Sequence, residues 1–506
     1  MSAQSGSDQP EHGGYRKTAI SGAVVTGAGT LAKGVLQVMA IVWLARLLSP
    51  ADFGITAMVF PIIAFATIFQ EAGLGLAVLQ RQRITDEELS TIFWTNAAIG
   101  AAIGLLLVLA APLVAAFYHE PRVAALTAAS GALVFLGGLS SQHIALLNRE
   151  MAFNKLALMD VASLTIGTAV ALVTAYLFKS YWAIYLLSFG TTVSMCAVAW
   201  VLSGWRPGRR APLAHVVDVL KFGGNITLSN LATYFGRNLD KILIGRAWGT
   251  IALGFYERAY KVVLLPIVFV HMPLFRLAVP MLSQSREDPD RYRRIFILAF
   301  QLALLITLPG TVLLIAGTDE IVRLVLGEKW TGGAPIFAWL AVATLGQLAT
   351  GPLAMIFISQ DRSREAMISS VASSLYSSVA FALGLPWGAV GVATAYAISE
   401  ALRTPALLWY ATRTGPVSFA DVAKALLPFG VAAAIAIVYV RVLGAAMAGW
   451  HALLFLAAAG VGAYALTVAC LLMNQTGRSF LQEVVLGGKV LLSRRGWLGA
   501  PVARSS

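Results

Sequence analysis

Apolar residues run through this sequence in long blocks. Leu89–Tyr118, Ala183–Trp205, Ile295–Thr318 and Trp330–Gln360 contain no charged side chain. Each block exceeds the roughly 20 apolar residues that carry a helix across a ~30 Å hydrocarbon layer. Backbone in that layer must satisfy its own hydrogen bonds, so each block predicts a helix; barrel strands would alternate with period two, and these blocks do not. Followed along the chain, the pattern predicts an all-α integral membrane protein with about 14 transmembrane helices. Their centres fall near residues 35, 65, 103, 135, 168, 192, 232, 268, 306, 346, 374, 398, 432 and 461.

Composition fits that class: 58% of residues are hydrophobic, 12% are charged, and the mean hydropathy is +0.77. The net charge of +13 adds an orientation. An even number of crossings places both termini on one side, and loop charge selects the side. With both tails cytoplasmic, the inner segments hold 22 of the 37 basic residues, Arg403 among them, and the outer segments hold 7. The basic balance therefore reads as a topogenic signal, with no nucleic-acid partner needed. The first 17 residues are polar and lack the apolar core of a cleaved leader, so the first apolar segment is expected to be an anchor. Cys196 and Cys470 lie in apolar runs and read as buried thiols. No CxxC, HExxH or GxxxxGK[ST] pattern occurs, so no metal, cofactor or ATPase module is expected.

A weak internal repeat organises the chain. "WLARLLSPADFGI" (Trp43 to Ile55) aligns without gaps on "LIGRAWGTIALGF" (Leu243 to Phe255), matching Arg46 to Arg246 and Gly54 to Gly254 at an offset of 200 residues. That offset is about six crossings, which predicts two halves of parallel topology with a substrate path between them. The polar stretch "GWRPGRRAPLAH" is the natural linker. The expected layout is a cytoplasmic N-tail at 1–19, an N-lobe of six helices at 20–205, a linker at 206–218 and a C-lobe of six helices at 219–414. Two further helices follow at 415–475, then a basic cytoplasmic tail at 476–506.

"LARLLSPADFGITAMVFPI", "FQEAGLGLAVLQRQ", "NLDKILIGRAWGTIALGFYERAYKV" and "VLGEKWTGGAPIF" occur in this order. Together they resemble the polysaccharide transporter (Wzx-type) flippases of the multidrug/oligosaccharidyl-lipid/polysaccharide exporter superfamily, over roughly residues 20 to 475. The resemblance implies two pseudo-symmetric six-helix lobes around a central cavity. It also implies movement of undecaprenyl-diphosphate-linked oligosaccharides from the inner to the outer leaflet by alternating access. Such a protein resides in the bacterial cytoplasmic (inner) membrane. Its partners would be the polyprenyl-diphosphate-linked oligosaccharide, membrane lipids, and polysaccharide polymerase and chain-length or export proteins.

Charges inside apolar helices mark the candidate site, because such residues normally face a partner or a wet cavity. Arg237, Asp240 and Lys241 lie one turn apart, with Tyr234 on the same side. Asp240 can neutralise Arg237 or Lys241 and lock two helices, or the group can form a cationic wall. Arg258 and Arg276 fall on one helix face, with Lys261 a turn from Arg258; snorkelling is the alternative for Arg258 and Lys261. Pro266, Pro273 and Pro280 are expected to bend that helix. Lys33 sits midway along the first crossing, with Glu71 as its natural partner. Lys33, Arg237, Lys241, Arg258, Lys261 and Arg276 are thus the candidate diphosphate and glycan contacts, and Glu71 and Asp240 the candidates for ion coupling or structural pairing. His271 reads as a packed or cavity-lining histidine. Trp43, Trp182, Trp330, Trp387, Trp450 and Trp205 read as interfacial anchors. "SFLQEVVLGGKVLLSRR" is either an amphipathic surface helix or a disordered end.

The basic surplus suits an anionic lipid diphosphate, since arginine binds phosphate through two parallel hydrogen bonds. A drug or cation antiporter of the same superfamily would want an acidic cavity. A membrane glycosyltransferase or polymerase would want a larger outer loop than Gly317–Gly333, with acids gathered in a cleft. The expectation is a transporter and not an enzyme.

Overall fold

A computed structural model describes residues 29–30, 32–71, 84–212, 217–447 and 451–492, and among them every regular element is helical. The helices are α1 (residues 32–47), α2 (Pro50–Glu71), α3 (Asp86–Tyr118), α4 (Arg122–Arg149), α5 (Phe153–Phe178) and α6 (Trp182–Ser203). Then come α7 (Val217–Gln284), α8 (Pro289–Ala316), α9 (Ala334–Thr350), α10 (Leu353–Ser359) and α11 (Ser363–Gly384). The last described helices are α12 (Gly388–Thr412), α13 (Phe419–Ala446), α14 (Ala452–Met473) and α15 (Gln475–Leu492). Eleven helical stretches among the described residues are long and apolar enough to cross a membrane, so this is a multi-pass membrane protein. The expected N-tail and Trp450 lie outside the described residues.

Helix starts follow from local chemistry. Thr85 and Glu88 form a reciprocal capping box before α3, and Ser418 and Asp421 form another before α13. Asp288 caps α8, where Pro289 supplies a first-turn residue with no N–H to satisfy.

Length forces a break in α7. Its 68 residues would make a rod of about 100 Å at 1.5 Å per residue, several times the hydrocarbon thickness. Gly249 provides the break, with φ 74° and ψ −168°, a conformation that glycine adopts without a Cβ clash. Pro266, Pro273 and Pro280, expected to bend the helix, all keep helical dihedral angles.

The chain forms two compact units, one running to Glu257 and the other starting at Arg258. In the first, α3 packs along α4 and α5 along α6. The polar linker is strapped to the start of α3: Gly208 N–H donates to Ser90 Oγ at 2.9 Å and Thr91 Oγ1 donates to the Ala211 carbonyl at 3.1 Å. In the second unit, Phe296, Phe300, Phe357 and Phe429 build an apolar core from α8, α10 and α13. Phe480 of α15 joins it, 6.5 Å from the Phe429 ring, so the amphipathic segment is helical as far as Leu492 and docks through Phe480, its remainder lying outside the described residues. Trp43 and Trp387 are exposed, as interfacial anchors require, but Trp330 is fully buried. The 3-10 turn Glu328–Gly333 folds it inward, and it is a core residue. Cys196 is buried, Cys470 is partly buried, and both are free thiols. At the end of α7, the Arg286 guanidinium beside Asp361 holds that carboxyl below its usual range.

The repeat has a direct structural counterpart inside the first unit. A Cβ on Gly54 would collide with the carbonyl oxygen of Thr250, and one on Gly254 would collide with that of Pro50. Pro50 and Thr250 stand at the same 200-residue offset as Gly54 and Gly254. Residue i touching j′ while i′ touches j is what two equivalent helix starts produce when they cross about a twofold axis. The glycines let two backbones approach where any side chain would hold them apart.

Candidate functional site

Ionisable residues inside apolar helices cost several kcal/mol each unless paired or wetted, so their partners decide what they do. In the first unit they gather on α7 around Gly249. Tyr234 is buried and donates its hydroxyl to the Pro61 carbonyl at 2.8 Å, which fastens α7 to α2. Asp240 is also buried; it accepts from the Lys241 backbone N–H at 2.8 Å and faces the Tyr256 hydroxyl. The Lys241 ammonium lies 3.3 Å from Glu257 Oε2, with the two side chains 16% and 6% exposed.

The sequence expectation offered Asp240 as the counter-charge of Arg237 or Lys241; Asp240 does feel the Lys241 charge, and the ammonium gains Glu257 as a second carboxylate. The bend at Gly249 is the reason. Lys241 and Glu257 stand eight residues before and after it, so folding the arms together brings them into contact. Arg237 is exposed on the same arm.

Lys33 pairs with Asp160 of α5 at 2.9 Å, and both side chains are roughly half exposed. The expectation for Lys33 was Glu71, which ends α2 and whose side chain lies outside the described residues. Sequence reading passed over Asp160, although a lone acid within "ALMDVAS" is signal enough for an intramembrane partner.

In the second unit, Arg258 is buried, while Lys261 and Arg276 are exposed on the second arm of α7. Burial of Arg258 departs from the snorkelling alternative. His271 packs against Gly351, where its Nδ1 fills the space a Cβ would take. One further pair went unread in the sequence. A single Arg403 nitrogen donates to both oxygens of Glu400, at 2.6 and 2.7 Å, and the Glu400 side chain is 1% exposed. The sequence reading counted Arg403 with the inner loops; it stands nine residues inside the end of α12. The i, i+3 spacing of the two charges in an otherwise apolar run was the available clue.

The described length of α7 from Tyr234 to Gln284 carries six basic residues against two acidic ones. That balance gives this length of helix a net positive charge. Ammonium and guanidinium groups on rigid helices bind phosphoryl oxygens through charge-assisted hydrogen bonds.

Residues 43–335, more than half of the chain, match the polysaccharide biosynthesis protein family. The teichuronic acid biosynthesis protein TuaB of Bacillus subtilis (strain 168) is 24% identical over 348 residues, 68% of this chain and 72% of that one. The lipopolysaccharide biosynthesis protein WzxC of Escherichia coli (strain K12) is 24% identical over 409 residues, 79% of this chain and 82% of that one. Among solved structures, the lipid II flippase MurJ in an inward closed conformation superposes with a TM-score of 0.72 at 17% identity. That superposition covers 91% of this chain and 100% of that one, and the fold is therefore shared.

Proposed function

The chain belongs to the polysaccharide biosynthesis protein family, and on that footing we propose that it is a lipid-linked oligosaccharide flippase. It moves undecaprenyl-diphosphate-linked repeat units from the inner to the outer leaflet of the bacterial cytoplasmic membrane, for exopolysaccharide, capsule or O-antigen synthesis. The names of its relatives, which speak of teichuronic acid and lipopolysaccharide biosynthesis, support the polysaccharide connection.

The observation that carries the reading is the sign of α7, six basic residues against two acidic over a membrane-spanning length. A diphosphate is anionic and is attracted there; an organic cation is repelled, which disfavours a drug antiporter. In this account Lys33, Arg237 and Lys241 from the first unit and Arg258, Lys261 and Arg276 from the second handle the diphosphate in turn during alternating access. Asp240 has a structural role. Glu71 is the carboxylate to test for ion coupling.

The fold is read as fourteen crossings. Two of the eleven apolar stretches, Tyr234–Gln284 and Ser363–Thr412, are 51 and 50 residues long, and positive-φ glycines at 249 and 388 divide each into two. The helix at residues 32–47 adds the last. Six crossings at 20–205 and six at 219–414 form the two lobes, followed by two more, with both termini cytoplasmic. Cysteines replacing Arg209 and Arg291 are then expected to react only with permeant thiol reagents, and one replacing Lys329 with impermeant reagents too. External labelling at position 291 contradicts this topology.

The function is tested by export. Arg237→Ala and Arg276→Ala are expected to abolish polysaccharide export at near-normal protein level, with lipid-linked oligosaccharide accumulating in the cell. Lysine at either position restores only part of the activity, because the paired phosphate hydrogen bonds are lost. Normal export by an abundant Arg237→Ala protein removes that residue from the account.

A further inference from the structure

The hairpin of α11 and α12 is closed at one end and open at the other. At the closed end, Gly384 and Gly391 meet backbone to backbone, since a Cβ on either would strike the carbonyl oxygen of the other. Towards the other end a groove of about 420 Å³ lies between the helices. Ser369, Ser373 and Ala406 are the small residues that leave it unfilled, and Ile368, Tyr376, Leu402 and Trp409 supply its apolar walls. Leu402, Trp409 and Tyr376 are 66%, 59% and 42% exposed, so the groove opens sideways, towards the lipid around a spanning helix. Ile368 and Tyr376 lie 5 and 13 residues after Ser363, which places the groove about 8 to 20 Å from that helix end. That is the depth of hydrocarbon chains in one leaflet.

Charge at the open end selects the ligand. Arg286, Arg362, Arg364 and Arg413 stand there against Asp361 and Glu365, so the mouth is net positive. The Arg413 guanidinium lies 4.3 Å over the Tyr410 ring at the rim of the groove. The deeper Arg403 is neutralised by Glu400 and leaves the interior of the groove without net charge. The size limits the occupant as well. An engineered protein cavity of ~150 Å³ takes one benzene, so this groove has room for roughly three five-carbon units of one chain. A diacyl lipid would leave its second chain outside.

We propose that the α11–α12 groove holds the isoprenoid chain of the lipid-linked substrate in the inner leaflet, with its diphosphate at the arginine-rich mouth. The proposal rests on the flippase reading and on the cytoplasmic placement of that mouth. It gives the carrier lipid a docking place on the second unit before its head group is transferred.

Photolabelling of the full-length protein in lipid nanodiscs tests this. The probe is farnesyl diphosphate carrying a diazirine on its terminal isoprene, with unlabelled farnesyl diphosphate or phosphatidylglycerol as competitor. Label is expected on peptides within residues 363–412 and should be displaced by farnesyl diphosphate only. Ala406→Trp, which fills the groove from its lipid side, should cut labelling roughly tenfold, equivalent to about 1.4 kcal/mol of binding. Ser373→Leu gives the same result from the opposite wall if the tryptophan impairs folding. Label confined to other segments overturns the groove and leaves the flippase reading standing. Equal displacement by phosphatidylglycerol overturns the isoprenoid assignment. A folded protein that the probe labels nowhere loses both readings.

Discussion

Gly54→Val and Gly254→Val are each expected to abolish export. Both glycines sit where one helix backbone lies against a carbonyl oxygen of the other, at Thr250 and at Pro50. A side chain there cannot be accommodated by a rotamer change, because the obstructing atoms are backbone. Overpacking a tight contact typically costs 1–3 kcal/mol, and backbone obstruction places these sites at or above the upper end of that range. The two helix starts must therefore separate. In the proposed topology the crossing lies at the outer face, so separation opens that side. A cysteine replacing Ser49, beside the crossing, is expected to react faster with an impermeant reagent in the Gly54→Val protein. Wild-type export by both valine variants contradicts the crossing as a required contact. Reduced abundance with unchanged Ser49 labelling marks it as static packing.

The second large effect is expected at the pair that spans the α7 bend. Glu257→Gln takes from the nearly buried Lys241 ammonium the carboxylate it pairs with across the bend. Breaking such a pair from one side costs roughly 3–5 kcal/mol, because the remaining charge stays desolvated. The variant should be scarce. Replacing both residues, as Lys241→Met with Glu257→Leu, removes both charges and should restore abundance. Activity then separates two roles. If Lys241 only fastens the bend, the double variant exports; if it also contacts the diphosphate, the double variant is abundant and inactive. The proposed function expects the second result.

The membrane helices were legible because a 20-residue apolar block has few other uses in a folded chain. The Arg46/Arg246 and Gly54/Gly254 match was also legible, and its meaning became physical once the two helix starts were seen to cross. Partner choice was not legible. Asp240 is adjacent to Lys241 in sequence, yet the ammonium reaches Glu257, because the break at Gly249 brings distant turns closer than near ones. Lys33 finds Asp160, 127 residues away, for the same reason: helix packing, and not spacing, sets the contact. Trp330 misled because a tryptophan near a helix end looks interfacial whichever way its turn folds, and this one folds inward. Arg403 was read as loop charge because its buried counter-charge, Glu400, was not weighed with it.

On the proposed function, fixed cations carry an anionic lipid-linked glycan across the bilayer. Reconstitution measures that directly. Purified protein is placed in liposomes containing an undecaprenyl-diphosphate-linked oligosaccharide bearing a reporter sugar, and an enzyme added outside trims whatever glycan is exposed. Wild-type protein is predicted to expose the inner pool within the assay, while liposomes with Arg237→Ala or Arg276→Ala protein stay near the protein-free rate. The account is contradicted if well-folded wild-type protein leaves the inner pool protected, or if the two arginine variants expose it as fast as the wild type.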